Sequence, residues 1–196
     1  MSKIDKAVYV WEKNNNWNGS WHYIKLDARV TKIAMNDLKK IKEFSNKNNL
    51  NIEYEFDLKN LNWFNIGGKT KVFFRPKNLK ELIVFLKNFG EKEKFFLLGA
   101  GSNILIDDQK TFDGVFIKLG KEFSNISTLR DNILVAGSAT LDRKLSLFAM
   151  ENSLTGFEFL SCIPGTIGGG LKMNSGCFSS EFKDIVVSIQ ALSKDG

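Results

Sequence analysis

Two glycine-rich turns constrain this chain more than any other feature of it. The first, Leu98-Gly99-Ala100-Gly101-Ser102-Asn103, follows the continuous apolar run Phe95-Phe96-Leu97-Leu98. A short apolar run closed by a turn reads as a buried strand, so this turn sits at the end of a core strand. Glycine there admits positive φ and lets a ligand approach the main chain closely. Successive N–H groups in such a turn form a concave nest for phosphate oxygens, and Ser102 and Asn103 add short polar groups. The second turn is Ile163-Pro164-Gly165-Thr166-Ile167-Gly168-Gly169-Gly170, followed by Leu171-Lys172-Met173-Asn174. Pro164 fixes φ ahead of the turn, and the pattern is that of a loop feeding a short helix whose first N–H groups face an anion. Taken singly, the first could be an ordinary tight turn and the second a linker. The apolar flanks of the second count against a linker. Together, two separated nests suit a diphosphate gripped from both sides. The first turn lacks the third glycine of the dinucleotide fingerprint and the lysine of a P-loop, which disfavours both of those folds.

The elements around the turns predict an α+β chain. Leu38, Ile41 and Phe44 space a short helix from Met35 to about Asn48-Asn49. Lys71-Val72-Phe73-Phe74-Arg75 is a strand stopped by Pro76, and Leu79, Leu82, Ile83, Leu86 and Phe89 form a helix between the cap Asn78 and the stop Gly90. With Phe95–Leu98 this makes a strand–helix–strand unit. Ile104–Ile106, Val115–Leu119, Ile133–Ala136 and Ile185–Leu192 are strand-like, and Leu141, Leu145, Phe148 and Ala149 mark a second helix. Asp195-Gly196 after the last of these is a hairpin signal, so a returning strand, and with it a longer protein, is expected beyond Gly196. Residues 1–34 differ from the rest: they hold three of the four tryptophans. Val8–Trp11 and Trp21–Ile24 about Asn18-Gly19 read there as a hairpin. The break at Met35 suggests that residues 1–34 are a dispensable extension of unknown role.

Charge and composition remove several classes of function. The net charge is +6, but no basic run exceeds Lys39-Lys40, so the clustered footprint of a nucleic-acid binder is missing. A phosphate-bearing small molecule or a simply solvated surface fits scattered lysines better. Cys162 and Cys177 are too few for a disulfide framework or a zinc site, and no metal is expected. The single histidine, His22, lies far from both turns, which argues against a His-dependent triad. No apolar run reaches the roughly 20 residues of a membrane span and no signal peptide opens the sequence, so a reduced cytoplasmic setting is expected.

Four blocks then carry a resemblance. Asn62-Trp63-Phe64-Asn65-Ile66-Gly67-Gly68, the first turn with Ile104-Leu105, Gly156-Phe157-Glu158-Phe159-Leu160 with the second turn, and Asn174-Ser175-Gly176 occur in one order. From about Asn60 onward the chain resembles the N-terminal half of the MurB family of cell-wall reductases. It departs from that pattern at Trp63 (usually Thr), Cys162 (usually Gly) and Gly170 (usually Ala), none of which removes a phosphate-facing backbone group.

The resemblance implies a vanillyl-alcohol-oxidase (PCMH-type) FAD-binding fold. Its first subdomain would cover residues 35–120, and its second, incomplete subdomain 121–196. The implied FAD contacts are Gly99, Ala100, Gly101, Ser102, Asn103, Ile163, Pro164, Gly165, Thr166, Gly168, Gly169 and Asn174. It implies an enzyme that takes hydride from NADPH onto FAD and reduces a UDP-sugar enolpyruvyl ether for peptidoglycan precursors. Its acid and charge-stabilising residues would fall after Gly196, so no residue here is assigned a catalytic role and the chain alone is expected to be inactive. Two other readings stay open: another flavin oxidase of the same fold, and a non-enzymatic module that binds a phosphate-bearing ligand. Covalent flavin attachment through His22 is disfavoured because it lies outside the matching region.

Overall fold

The computed structural model describes residues 35–130 and 132–196. Helix α1 (Met35–Asn48) is followed by strand β1 (Ile52–Asp57), strand β2 (Lys69–Phe74), helix α2 (Leu79–Phe89), strand β3 (Phe95–Leu97) and strand β4 (Phe112–Ile117). These strands form one sheet in the order β1-β2-β4-β3, with β1 antiparallel to β2 and the other pairs parallel. The expected strand–helix–strand unit is therefore present as β2-α2-β3, with β4 inserted between its two strands.

Period-two alternation divides the sheet into two buried faces. Val72, Phe74, Val115 and Ile117 point toward the helices and pack with Ile41, Leu82, Phe85, Leu86 and Phe89. Phe73 and Phe116 point the other way, onto Leu58, Leu98 and Ile106. Covered on both sides, β4 reads as an unbroken apolar run from Val115 to Ile117. Helix α2 starts where Asn78 Oδ1 accepts from the Glu81 amide at 3.0 Å while Glu81 Oε2 accepts from the Lys77 amide at 2.9 Å. Such caps contribute about 1 kcal/mol.

The second half has its own core. Strands β5 (Ile126–Arg130) and β6 (Ile133–Ala136) pair antiparallel. Helix α3 (Asp142–Glu151), helix α4 (Ile167–Met173), the short pair β7 (Gly176–Cys177) and β8 (Ser180–Glu181), and helix α5 (Phe182–Ile185) follow. Leu145, Phe159, Leu160, Ile167 and Phe182 are the buried centre of this half.

Several sequence expectations need correction. Ile104–Ile106 is not a strand: Ile106 is buried under the sheet while Leu105 lies exposed, so the run is apolar because one side chain plugs the core. Ile185–Leu192 is not a strand either. Ile185 ends α5, and Val187 and Ile189 are exposed, with no described neighbour to complete a ladder. Strand β1 was not expected, although Ile52-Glu53-Tyr54-Glu55-Phe56-Asp57 alternates cleanly as an edge strand should. The hairpin read in residues 1–34 lies outside the described residues.

Phe85 is the hub of the helix-side core. It is fully buried, with ring centroids of Phe74, Phe89 and Phe95 at 4.5, 5.1 and 6.1 Å. Truncating it removes those contacts and leaves a cavity between α2 and the sheet. Phe85→Ala is expected to cost about 3–5 kcal/mol in urea unfolding, and a loss below about 1 kcal/mol would show that this core is not packed as described.

Candidate functional site

The three parallel strands end together, and the first glycine turn leaves from that carboxyl edge, where open parallel sheets place their ligands. The Leu98 amide donates to the Ile117 carbonyl at 2.9 Å, extending the β3–β4 ladder one step past β3. Gly99 follows, and its carbonyl accepts from Lys118 Nζ at 2.6 Å. Gly101 has φ of +75°, and a side chain there would collide with the Leu61 carbonyl. Its own carbonyl accepts from the Trp63 amide at 3.0 Å. Asn62 builds this support: its Nδ2 donates to the Leu58, Lys59 and Ile66 carbonyls, and its Oδ1 accepts from the Phe64 amide. The Asn62–Gly68 block is thus the buttress under the first turn.

The second turn is clamped to the start of α3. Thr166 bridges Leu141, with Ile167 N–H donating to Thr140 O at 2.8 Å and Asp142 N–H to Gly165 O at 3.2 Å. Gly168 N–H donates to Ser138 O at 2.8 Å, and Gly169 N–H to Thr166 Oγ1 at 3.4 Å. The first amides of α4 therefore already have protein acceptors. Gly168 serves close packing, since a Cβ there would lie 3.0 Å from Ser138 Cβ. Asn174 ends α4 at φ of 45°, and its side chain is committed to Glu181 Oε2 at 2.7 Å and to the Lys183 amide at 2.9 Å.

The two turns meet at one hydroxyl. A Cβ built on Gly99 would stand 2.9 Å from Thr166 Oγ1, and one built on Gly169 would stand 3.3 Å from the same atom. Neither has another heavy atom within 4 Å outside its immediate chain neighbours and helix backbone. These two glycines, one from each half, face that one hydroxyl, whereas Gly101 and Gly168 pack against several protein atoms. Ala100, Ser102 and Asn103 continue the first turn at half-buried to exposed positions; Ile163 is half-buried, and Pro164 exposed, at the mouth of the second. Open depressions of about 310 Å³ beside Gly67–Lys69 and about 350 Å³ between α1 and α2 lie at other places.

Four charged or polar groups at this junction went unread in the sequence. Lys118 and Arg75 are one step past the paired residues Ile117 and Phe74, at the carboxyl ends of β4 and β2. Burial, then the Arg75 charge, lowers the Lys118 pKa. Under the second turn, Thr140 and Asp142 are fully buried, and neither the Thr140 hydroxyl nor the Asp142 carboxyl has a hydrogen-bond partner. One Asp142 oxygen would be 2.5 Å from a Cβ at Gly165. Burial pushes the Asp142 carboxyl up to about 7. The only available sequence signal was position: each residue ends a core strand or begins a helix beside a glycine turn.

A family described as "FAD binding domain" matches residues 70–196. The chain is 65% identical over 159 residues to the UDP-N-acetylenolpyruvoylglucosamine reductase of Pelagibacter ubique, covering 81% of this chain and 52% of that protein. It is 49% identical over 138 residues to the enzyme of the same name from Rickettsia canadensis, covering 70% and 46%. The chain thus spans about half the length of the curated relatives it matches. Among solved structures it is similar to the UDP-N-acetylenolpyruvylglucosamine reductase (MurB) of Thermus caldophilus, with a TM-score of 0.53 and 28% identity over 67% of this chain and 44% of that one. These likenesses and the mixed helices and strands fit the α+β, PCMH-type FAD-binding fold.

Asp142 gives the site a signature in stability. A carboxyl whose pKa is higher folded than unfolded favours the fold when protonated. Its stabilising contribution is present at about pH 4 and is lost as pH rises toward about 7. Asp142→Asn is expected to remove that slope and to be more stable than the parent at pH 8 by on the order of 1–2 kcal/mol. Chemical unfolding of both proteins from pH 4 to 8 checks this, and parallel curves would place the Asp142 charge elsewhere.

Proposed function

The chain belongs to the FAD binding domain family, and from that premise we propose that it is the FAD-binding portion of a UDP-N-acetylenolpyruvoylglucosamine reductase. The observation that carries the reading is the convergence of Gly99 and Gly169 on the Thr166 hydroxyl, with Lys118 bonded to the Gly99 carbonyl beside them. That donor set suits a diphosphate: short turns, a hydroxyl and a cation, with no carboxylate bonded to that cation among the described residues. The residues assigned to the cofactor are Gly99, Ala100, Gly101, Ser102 and Asn103 on one side. On the other are Ile163, Pro164, Gly165, Thr166, Gly168 and Gly169. Gly101, Gly165 and Gly168 act by letting the turns pack tightly, and Asn174 by tying the end of α4 to Glu181 and Lys183.

FAD, when bound, would supply the hydride-transfer chemistry, with NADPH as reductant and a UDP-sugar enolpyruvyl ether as substrate of the whole protein. This chain's share is to hold the cofactor. Residues 35–120 and 121–196 form the two walls, each with its own core. The reading places the protein in the cytoplasm, and no helix among the described residues is long and apolar enough to cross a membrane. The names of the relatives favour the reductase over another flavin oxidase of this fold or a non-enzymatic phosphate binder.

Gly169→Val tests that convergence. Gly169 is helical and a Cβ there meets only Thr166 Oγ1, at 3.3 Å, so the branched side chain crowds that hydroxyl and little else. The purified parent should retain FAD, seen as the yellow visible absorbance of bound flavin. The variant should bind it at least about tenfold more weakly with a thermal midpoint within about 5 °C of the parent. A colourless parent after reconstitution with FAD would sink the reading, and so would a variant with undiminished affinity.

A further inference from the structure

We propose that Lys118, backed by Arg75, is the cationic arm of this site and binds the diphosphate of the cofactor; the inference rests on the FAD reading above. The β2–β4 ladder continues one step beyond both strands, with Lys118 N–H donating to Phe74 O at 3.0 Å. Arg75 and Lys118 are therefore neighbours in register. By alternation they point to the face of Phe73 and Phe116, away from the helices and toward the first glycine turn. The Arg75 guanidinium lies over the Phe73 and Phe56 rings at 4.8 and 5.4 Å. The Lys118 ammonium is half-buried and bonded to the Gly99 carbonyl at 2.6 Å, at the residue whose missing side chain faces Thr166 of the other half.

Two like charges side by side repel, and burying an ammonium beside a guanidinium is unfavourable unless an anion compensates. Arg75 has Glu53, at 3.7 Å and on an outer, half-exposed position. That ion pair runs from Arg75 Nε itself to Glu53 Oε1, too long for a hydrogen bond, so Glu53 offsets part of the Arg75 charge, while no described carboxylate pairs with Lys118. The neutral Gly99 carbonyl engages one of the three ammonium donors and leaves the charge itself uncompensated. A diphosphate bound beside Gly99 and Thr166 would supply that compensation. Lys118 would be drawn there by a charge-assisted hydrogen bond, which is stronger than its bond to a neutral carbonyl.

Lys118→Met keeps the apolar stem and removes the charge, and Lys118→Arg restores it. FAD titrations of the intact chain at low and high salt separate the outcomes. Lys118→Met should raise the FAD Kd at least about tenfold at low salt and flatten its salt dependence, while Lys118→Arg stays within about threefold of the parent. ADP, which carries the diphosphate, should compete less well in Lys118→Met by a similar factor, whereas adenosine, which has no phosphate, should compete equally in both. Unchanged Kd and salt slope in Lys118→Met would overturn the assignment. So would an equal loss for adenosine, because the lysine would then act only by holding the Gly99 carbonyl. A parent that binds no FAD fails the cofactor reading and this one with it; a parent that binds FAD beside an indifferent Lys118→Met fails this inference alone.

Discussion

The contact between Gly99 and Thr166 sets the terms for the rest of the molecule. Two separately packed halves approach so closely there that a Cβ on Gly99 would stand 2.9 Å from a hydroxyl of the other half. Such an approach persists only if both sides are held rigidly. On one side the sheet holds Gly99, through the Leu98–Ile117 hydrogen bond and the Lys118 ammonium on its carbonyl. On the other, the Leu141–Thr166 bridge ties the turn to the start of α3, and α3 in turn is seated by Leu145 and Ala149. Each core is thus a support for one side of that close approach.

The glycines divide into two physical classes that the sequence shows as one. Gly101, Gly165, Gly168 and Gly170 are small because protein atoms occupy the place of a side chain: the Leu61 carbonyl, Asp142, Ser138 and the Phe182 ring. Gly99 and Gly169 each meet a single atom, the Thr166 hydroxyl, 2.9 and 3.3 Å from where a Cβ would stand. A glycine-rich motif marks close approach without saying what approaches, and here most of the approach is protein on protein. The helix N-terminus at Ile167 follows the same logic. As a motif it offers amides to an anion, yet Thr140 and Ser138 carbonyls already accept from its first two.

Much of the fold was legible because it rests on local patterns. Helices α1 and α2, strands β2 and β3 and the loop-to-helix character of the second turn follow from apolar spacing, the Asn78 cap and glycine placement. What failed to read were segments whose state depends on a distant partner. Ile104–Ile106 and Ile185–Leu192 have strand composition, but a strand is defined by a neighbour that hydrogen-bonds it, and composition is blind to that. Strand β1 alternates, but the acidic residues Glu53, Glu55 and Asp57 dilute its apolar signal. The turns themselves were visible in one dimension; that they share a single hydroxyl was not.

Charge completes the argument for a junction rather than two independent turns. Burial opposes the charged form of both Asp142 and Lys118, lifting the carboxyl to about 7 and lowering the amine. The two effects are opposite in consequence. A carboxyl raised to about 7 is only partly ionised at neutral pH and so repels an anion less beneath the second turn, while an amine destabilised by desolvation and by Arg75 gains most from an incoming anion. Interactions of this kind are stronger where water is excluded. The sheet contributes the cations at the ends of β2 and β4, and the second half contributes the Thr166 hydroxyl and the buried Asp142 carboxyl beneath it. The close approach of the two turns depends on the size of Gly99, because a Cβ there would stand 2.9 Å from Thr166 Oγ1.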